Sequence, residues 1–309
     1  MKYWILAASI AAIVAGCATT TSSTGRKQYV GAVSQEQLNQ MGAQAFSEAK
    51  TKGPLSTDAK QNAYVRCVVN ALVRELPPQA QATAWESAVF VNKEPNAFAL
   101  PGGKVGVNSG MFTVARNQDQ LAAVVAHEIG HVIEKHHDER ITRQMGAQTG
   151  LGIAGALLGS RYGQGAADAT NQLGGVAAQG LFLLPGSRTQ ESEADVVGQQ
   201  LMAKAGFNPE QAVDLWENMV AASAGRSPQW LSTHPDPQSR IQELGKRATT
   251  LAPVYQQARA RQLFAPVAAD SQSMVQNAVG DMRSNTNARP RNATAAIPSR
   301  PRARTACQA

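Results

Sequence analysis

The chain has 309 residues, 43% hydrophobic and 17% charged, which is enough apolar material for one large or two small globular domains. Its formal net charge is +7, but Lys2 supplies one charge and the acid-free segment 283–309 supplies six arginines. The stretch between is neutral, so a nucleic-acid-binding body has no support and the basicity belongs to the tail.

Met1-Lys2, the apolar run Tyr3 to Val14 and the small pair Ala15-Gly16 make a secretory signal, too short for a membrane span. Val14-Ala15-Gly16-Cys17 looks like a bacterial lipobox, which predicts a signal peptide over 1–16 and a lipid on Cys17. The alternative is an ordinary signal peptide with an incidental cysteine. Several acyl chains, as in that class, anchor stably where one binds marginally. Ala18 in place of Asp resembles lipoproteins sorted to the outer membrane. Residues 17–33 then read as a lipidated polar tether.

Ser34-Gln35-Glu36-Gln37 predicts a capping box opening a helix to about Ala49. Thr57-Asp58 opens a second helix, stopped by Pro77-Pro78. Ala84 to Val91 reads as a strand, and Asn96 to Val107 as two short strands about Pro101-Gly102-Gly103. Asn117 is the expected cap of a long helix running to about Arg143. Residues 146–186 are glycine-rich and broken, read as a candidate lid or a flexible insertion. Helices resume over Thr189–Ala205 and from Asn208-Pro209 to Ala222, and a last one carries Arg240, Ile241 and Leu244. The domain is expected to close near 264. Residues 265–309, poor in large apolar side chains, read as a disordered basic tail, and its arginines as a candidate contact for anionic lipid or peptidoglycan. In an oxidising compartment Cys67 and Cys307 are free to pair, whereas Cys67 in its apolar pattern also fits a buried small hydrophobe.

The long helix carries Val125-Ala126-His127-Glu128-Ile129-Gly130-His131-Val132. Two imidazoles at i and i+4 share a helical face and reach one point. Chance produces H-E-x-x-H in about one chain in a hundred of this length, and a fully apolar surround makes chance less plausible. A zinc ion would compensate both rings, with Glu128 as general base to its water. A catalytic zinc needs a third protein ligand. His137 sits six residues after His131 but lacks the glycine that would turn the chain back, and six helical residues leave it about 120° off the face. His136, His137, Asp138 and Glu139 therefore read as a solvated helix end. Glu191 and Asp195 lie i,i+4 on a second helix, so Glu191 is assigned as ligand and Asp195 as acceptor of a ligating histidine's second N–H. Glu193 is rotated about 200° from Glu191 and is set aside. His234, in the Pro-bounded Thr233-His234-Pro235, is read either as an oxyanion donor or as a fourth ligand that silences the site, against an exposed loop histidine.

His127-Glu128-Ile129-Gly130-His131, Asn96-Ala97-Phe98-Ala99-Leu100-Pro101-Gly102-Gly103, Ser187-Arg188…Glu191-Ser192-Glu193-Ala194-Asp195 and Thr233-His234-Pro235 together resemble one gluzincin metalloendopeptidase family. It is the family of HtpX, BepA and LoiP, related to the CaaX prenyl proteases, and the chain looks most like its soluble periplasmic lipoprotein branch. The resemblance covers roughly residues 34–250 and implies an α+β zincin fold, mostly helical with a small sheet at the cleft. It implies one Zn2+ held by His127, His131 and Glu191, catalysis by Glu128 with His234, and a substrate-binding strand edge at Asn96, Ala97 and Phe98. The expected protein is a zinc endopeptidase on the periplasmic face of the outer membrane, anchored through Cys17. It would act on misfolded or unassembled envelope proteins, with envelope-assembly proteins as candidate partners and no nucleic acid. The alternative is a latent protease acting mainly as a chaperone or scaffold.

Overall fold

The computed structural model describes residues 18–146, 187–223, 234, 237–284 and 307. The signal segment with Cys17, the glycine-rich stretch from 147 to 186 and the tail 285–306 lie outside them. The described chain opens on β1 (Ala18–Thr21) and β2 (Lys27–Val30), an antiparallel hairpin. Ser34 then caps α1 (Gln35–Lys52) in a capping box with Gln37, supplying partners that a helix start leaves wanting. Asp58 caps α2 (Ala59–Val73) through the N–H groups of Lys60 and Gln61. One turn of helix, α3 (Pro78–Gln81), leads to β3 (Glu86–Phe90). β4 (Ala97–Leu100) and β5 (Lys104–Asn108) meet across Gly102 and Gly103, whose φ of +78° and +73° favours glycine. Asn117 caps α4 (Gln118–Ile133) as expected, and α5 covers 136–146. α6 (Arg188–Lys204), α7 (Gln211–Ala222) and α8 (Pro237–Ser284) complete the order.

The three-stranded sheet runs β3-β5-β4, with β3 parallel and β4 antiparallel to β5. The pleat sends alternate residues to opposite faces. Ala97, Ala99, Val105 and Val107 join the main core, with Leu72 of α2, Val125 and Ile129 of α4, and Trp216 of α7. Phe90, Phe98 and Leu100 face the other way, onto Phe46 of α1. Phe46 is 1% exposed, and truncating such an aromatic costs about 3–5 kcal/mol. Residues 54–56 cover the outer edge of β3. β4 is the opposite edge, with no strand on its outer side among the described residues. Among those residues no helix is long and apolar enough to cross a membrane.

Four features depart from the sequence reading. α4 ends at Ile133 rather than near Arg143, because Lys135 takes φ +54°; a non-glycine residue there gives no breaker signal. The chain re-enters as α5 with His136, His137, Asp138 and Glu139 buried instead of solvated. The tether from residue 18 to 30 is a folded hairpin, seated on that break. Ser23 N–H donates to Glu134 Oε2 at 2.9 Å, Gln28 Nε2 to the Glu134 carbonyl at 2.6 Å and Gly31 N–H to Asp138 Oδ1 at 2.9 Å. Its polar residues read as solvated because the carboxylates that pair with them lie more than a hundred residues away. Finally, α8 runs past Ala265, where no structure is predicted, to Ser284. Cys67 of α2 and Cys307 form a disulfide.

Candidate active site

α4 and α6 approach closely because glycines face the crossing. A Cβ at Gly198 would lie 2.8 Å from His127 N, and one at Gly130 would lie 3.0 Å from the Ala194 carbonyl oxygen. The contact brings His127 and His131, one turn apart on α4, against Glu191 and Asp195 of α6. His127 Nε2 is 3.1 Å from His131 Nε2 and 3.4 Å from Glu191 Oε2, and His131 Nε2 is 3.6 Å from Glu191 Oε1. His234 Nδ1 joins them, 3.2 Å from His127 Nε2 and 2.7 Å from Glu191 Oε2. The four donor atoms all lie within 4.8 Å of one another, and all four residues are buried. Glu128 stands beside the group, its Oε1 3.4 Å from His234 Nε2. Glu128 Oε1 and Glu191 Oε1 are buried with no hydrogen-bond donor among the described residues, which is costly for carboxylates unless a cation compensates. Two or three imidazoles and a carboxylate converging on one point could hold a metal ion.

The surrounding residues fix these side chains. His127 Nδ1 is 2.9 Å from Asp195 Oδ1, the pairing expected of Asp195. Arg240 of α8 holds Asp195 in a two-pronged grip, Nε to Oδ2 and Nη2 to Oδ1 both at 2.6 Å, and reaches Glu191 Oε2 at 3.0 Å. Its guanidinium lies 4.0 Å from the Trp216 ring centre. On the other side His131 Nδ1 is 2.8 Å from His136 Nδ1, and His136 Nε2 is 3.1 Å from Glu193 Oε2. Sequence reasoning missed Arg240, and it placed His136 in solvent and set Glu193 aside. A lone arginine on a helix carries no local signal, and His136 reaches the site only through the break at Lys135. Asn96, Ala97 and Phe98 lie at the β4 edge, but the Phe98 ring packs on Phe46 and Phe90 and Ala97 is buried, so these two offer their backbone rather than their side chains to a partner. Cys17 lies outside the described residues.

Charge follows this geometry. Burial pushes the His127 imidazole down, yet Asp195 and Glu191 outweigh it and lift it to about 9. Burial lowers His131 well below its ordinary value. Glu191 is opposed by burial but held far below the carboxylate range by His234 and His131. Asp195 is likewise held low, by Arg240 against burial. The site therefore presents ionised carboxylates to whatever cation enters.

The family model of peptidase family M48 matches residues 59–248, more than half of the chain. The chain belongs to peptidase family M48. That span runs from α2 into α8 and contains every residue of the donor set, whereas the hairpin and α1 precede it. The chain is 38% identical over 162 residues to the mitochondrial metalloendopeptidase OMA1 of Schizosaccharomyces pombe, over 52% of this chain and 45% of that protein. It is 31% identical over 226 residues to the beta-barrel assembly-enhancing protease of Escherichia coli, over 71% of this chain and 45% of that protein. Saccharomyces cerevisiae OMA1 is 31% identical over 181 residues, 56% of this chain and 50% of that protein. The chain thus spans about half the length of these curated relatives. The family and zincin-type fold expected from the motifs hold.

Proposed function

We propose that this M48 chain is a zinc-dependent endopeptidase in which His127, His131 and Glu191 hold the metal and Glu128 is the general base. The observation that carries the reading is the convergence of three donors from two helices beside the buried Glu128, whose Oε1 accepts no hydrogen bond among the described residues. Tetrahedral zinc with bonds of about 2.0–2.1 Å spaces its ligand atoms about 3.3 Å apart, and the His127, His131 and Glu191 donors stand 3.1, 3.4 and 3.6 Å apart. Bound zinc supplies Lewis-acid polarisation of the scissile carbonyl and acidification of a water. Glu128 takes the proton of the attacking water and delivers it to the leaving amine. Asp195 fixes the His127 ring through Nδ1, and Arg240 keeps Asp195 ionised and in place. The β4 edge offers backbone groups for an extended substrate to add as a strand. Glu128→Gln tests the assignment: zinc content should persist while casein cleavage falls by at least about a thousandfold, the loss of general-base catalysis with its share of water activation. Retained cleavage sinks the mechanism.

The wider setting is part of the same proposal. The lipobox-like Val14–Cys17 and the name of the E. coli relative support a lipoprotein at the periplasmic face of the outer membrane, acting on misfolded or unassembled envelope proteins. Because β1 begins at Ala18, a lipid on Cys17 would hold the domain close to the membrane surface rather than on a long leash. Palmitate labelling that survives Cys17→Ser would contradict the anchor.

A second reading is favoured by His234, whose Nδ1 stands 3.2 Å from His127 Nε2 and 2.7 Å from Glu191 Oε2. As a fourth ligand it closes the position that water needs, giving a latent enzyme with a chaperone or scaffold role. His234→Ala decides: cleavage that rises above wild type means latency, and cleavage that falls means His234 serves the reaction.

A further inference from the structure

The region behind His131 contains three features that the proposed reaction does not use. Lys135 is the only non-glycine residue with positive φ among the described residues, a strained turn of the kind that persists when its surroundings over-determine it. That turn carries His136, 0% exposed, back beneath α4, with Nδ1 2.8 Å from His131 Nδ1 and Nε2 3.1 Å from Glu193 Oε2. Glu193 is in turn gripped by the N-terminal hairpin. Ser22 Oγ donates at 2.6 Å, Thr24 Oγ1 at 2.5 Å and Arg26 Nε at 2.8 Å. Arg26 also forks onto both oxygens of Glu139 at 2.8 Å.

Two ring nitrogens in hydrogen-bond contact share one proton, and the chemistry of the site says whose it is. With His131 presenting Nε2 to a metal, its Nδ1 carries the proton and donates. His136 Nδ1 must then accept, which leaves the His136 proton on Nε2, where the Glu193 carboxylate receives it. Each donor meets an acceptor, and the charge at the end of the line is matched by Arg26. We propose that His136 and Glu193 are positioning residues that set the tautomer and orientation of His131, locked from outside by Ser22, Thr24 and Arg26 of the hairpin. The proposal rests on the metal-site reading above. It makes the N-terminal hairpin, which lies before the family-matched span of 59–248, a working part of the metal centre. An ion-pair network that merely fastened the hairpin would leave metal affinity untouched.

The test is zinc affinity by competition with a chromogenic chelator, on the full chain, alongside the melting temperature of chelator-treated protein. His136→Phe should weaken zinc binding about 10- to 100-fold, the usual effect of losing a ligand's hydrogen-bond partner. His136→Asn, whose amide oxygen can stand near the position of Nδ1, should recover most of it, and Arg26→Ala and Glu193→Gln should each lose about tenfold. Affinity within about twofold of wild type in folded His136→Phe overturns the proposal, however far the melting temperature falls. Equal weakness in the Phe and Asn variants also overturns it, since bulk rather than hydrogen bonding would then matter. Where His136→Phe does not fold, unchanged affinity in Glu193→Gln is decisive against it. Glu191→Ala separates the two ideas: if it binds zinc like wild type the metal-site reading falls and takes this one with it. If Glu191→Ala loses zinc and His136→Phe keeps it, the positioning role alone is lost.

Discussion

Gly198→Ala probes the helix crossing on which the site depends. The added methyl would stand 2.8 Å from His127 N and 2.9 Å from both the carbonyl carbon and oxygen of Ala126, where ordinary contact begins at 3.4 Å. All three neighbours are backbone, so no side chain can swing aside, and the helices must part by about 0.6 Å or strain locally. Overpacking of this kind costs about 1–3 kcal/mol, or roughly 2–12 °C in melting temperature for a domain of this size. His127 Nε2 and Glu191 Oε2, now 3.4 Å apart, would move toward 4 Å, past the tolerance of about 0.5 Å within which a site must be held. Zinc affinity should therefore fall at least about tenfold, a ligand-positioning effect comparable to losing an outer partner. Gly245→Ala on α8 is the control, since its nearest neighbour is Val213 at 3.9 Å; it should gain up to about 1 kcal/mol of helix propensity. Differential scanning fluorimetry with and without chelator, and chelator competition, read both quantities. Unchanged zinc affinity in Gly198→Ala, with a melting temperature matching wild type, would refute the claim that the glycine crossing sets the donor spacing.

Lys135→Gly should be neutral or stabilising by up to about 1 kcal/mol, because left-handed backbone strains a non-glycine residue by about 1–2 kcal/mol and glycine's extra chain entropy offsets part of that; Lys135→Val should destabilise, and equilibrium urea unfolding distinguishes them. Burial opposes ionisation of Glu193, but Arg26, Ser22, Thr24 and His136 overcome it and hold the carboxyl at about 2 instead of 4.5. Its stabilising share is thus present in full above about pH 4.5 and is lost as pH falls toward 2. The melting-temperature gap between wild type and Glu193→Gln should be open near neutral pH and close across that window; a gap independent of pH contradicts it. Reducing the Cys67–Cys307 disulfide, which closes a loop of sequence separation 240, should cost about 5 kcal/mol on the chain-entropy account, and an unchanged melting temperature under reductant refutes that.

What could be read from the sequence was what is local. Ser34, Asp58 and Asn117 announce helix starts because the capping side chain and its backbone partners lie within three residues. Pro101-Gly102-Gly103 announces its turn through backbone freedom alone. The i,i+4 pairs His127/His131 and Glu191/Asp195 are legible as three ligands and the acceptor behind one of them, and the structure brings the four together. What escaped was non-local or carried by an atypical residue. Lys135 breaks α4 without being glycine, so the sequence reads as one helix through it with His136 in solvent. The hairpin's serine, threonine and arginine look like tether until Glu193, Glu134 and Glu139 are seen to meet them. Arg240 completes the other side of the site from a helix about a hundred residues beyond α4, a distance no local pattern spans.

Zinc K-edge X-ray absorption on the zinc-loaded chain tests the central claim most directly, because it reads the ligand set without depending on activity. The account predicts one zinc per chain with only nitrogen and oxygen neighbours at about 2.0–2.1 Å and a histidine contribution from at least two rings. Sulfur in the shell at about 2.3 Å, or a zinc signal undiminished in Glu191→Ala, would contradict it.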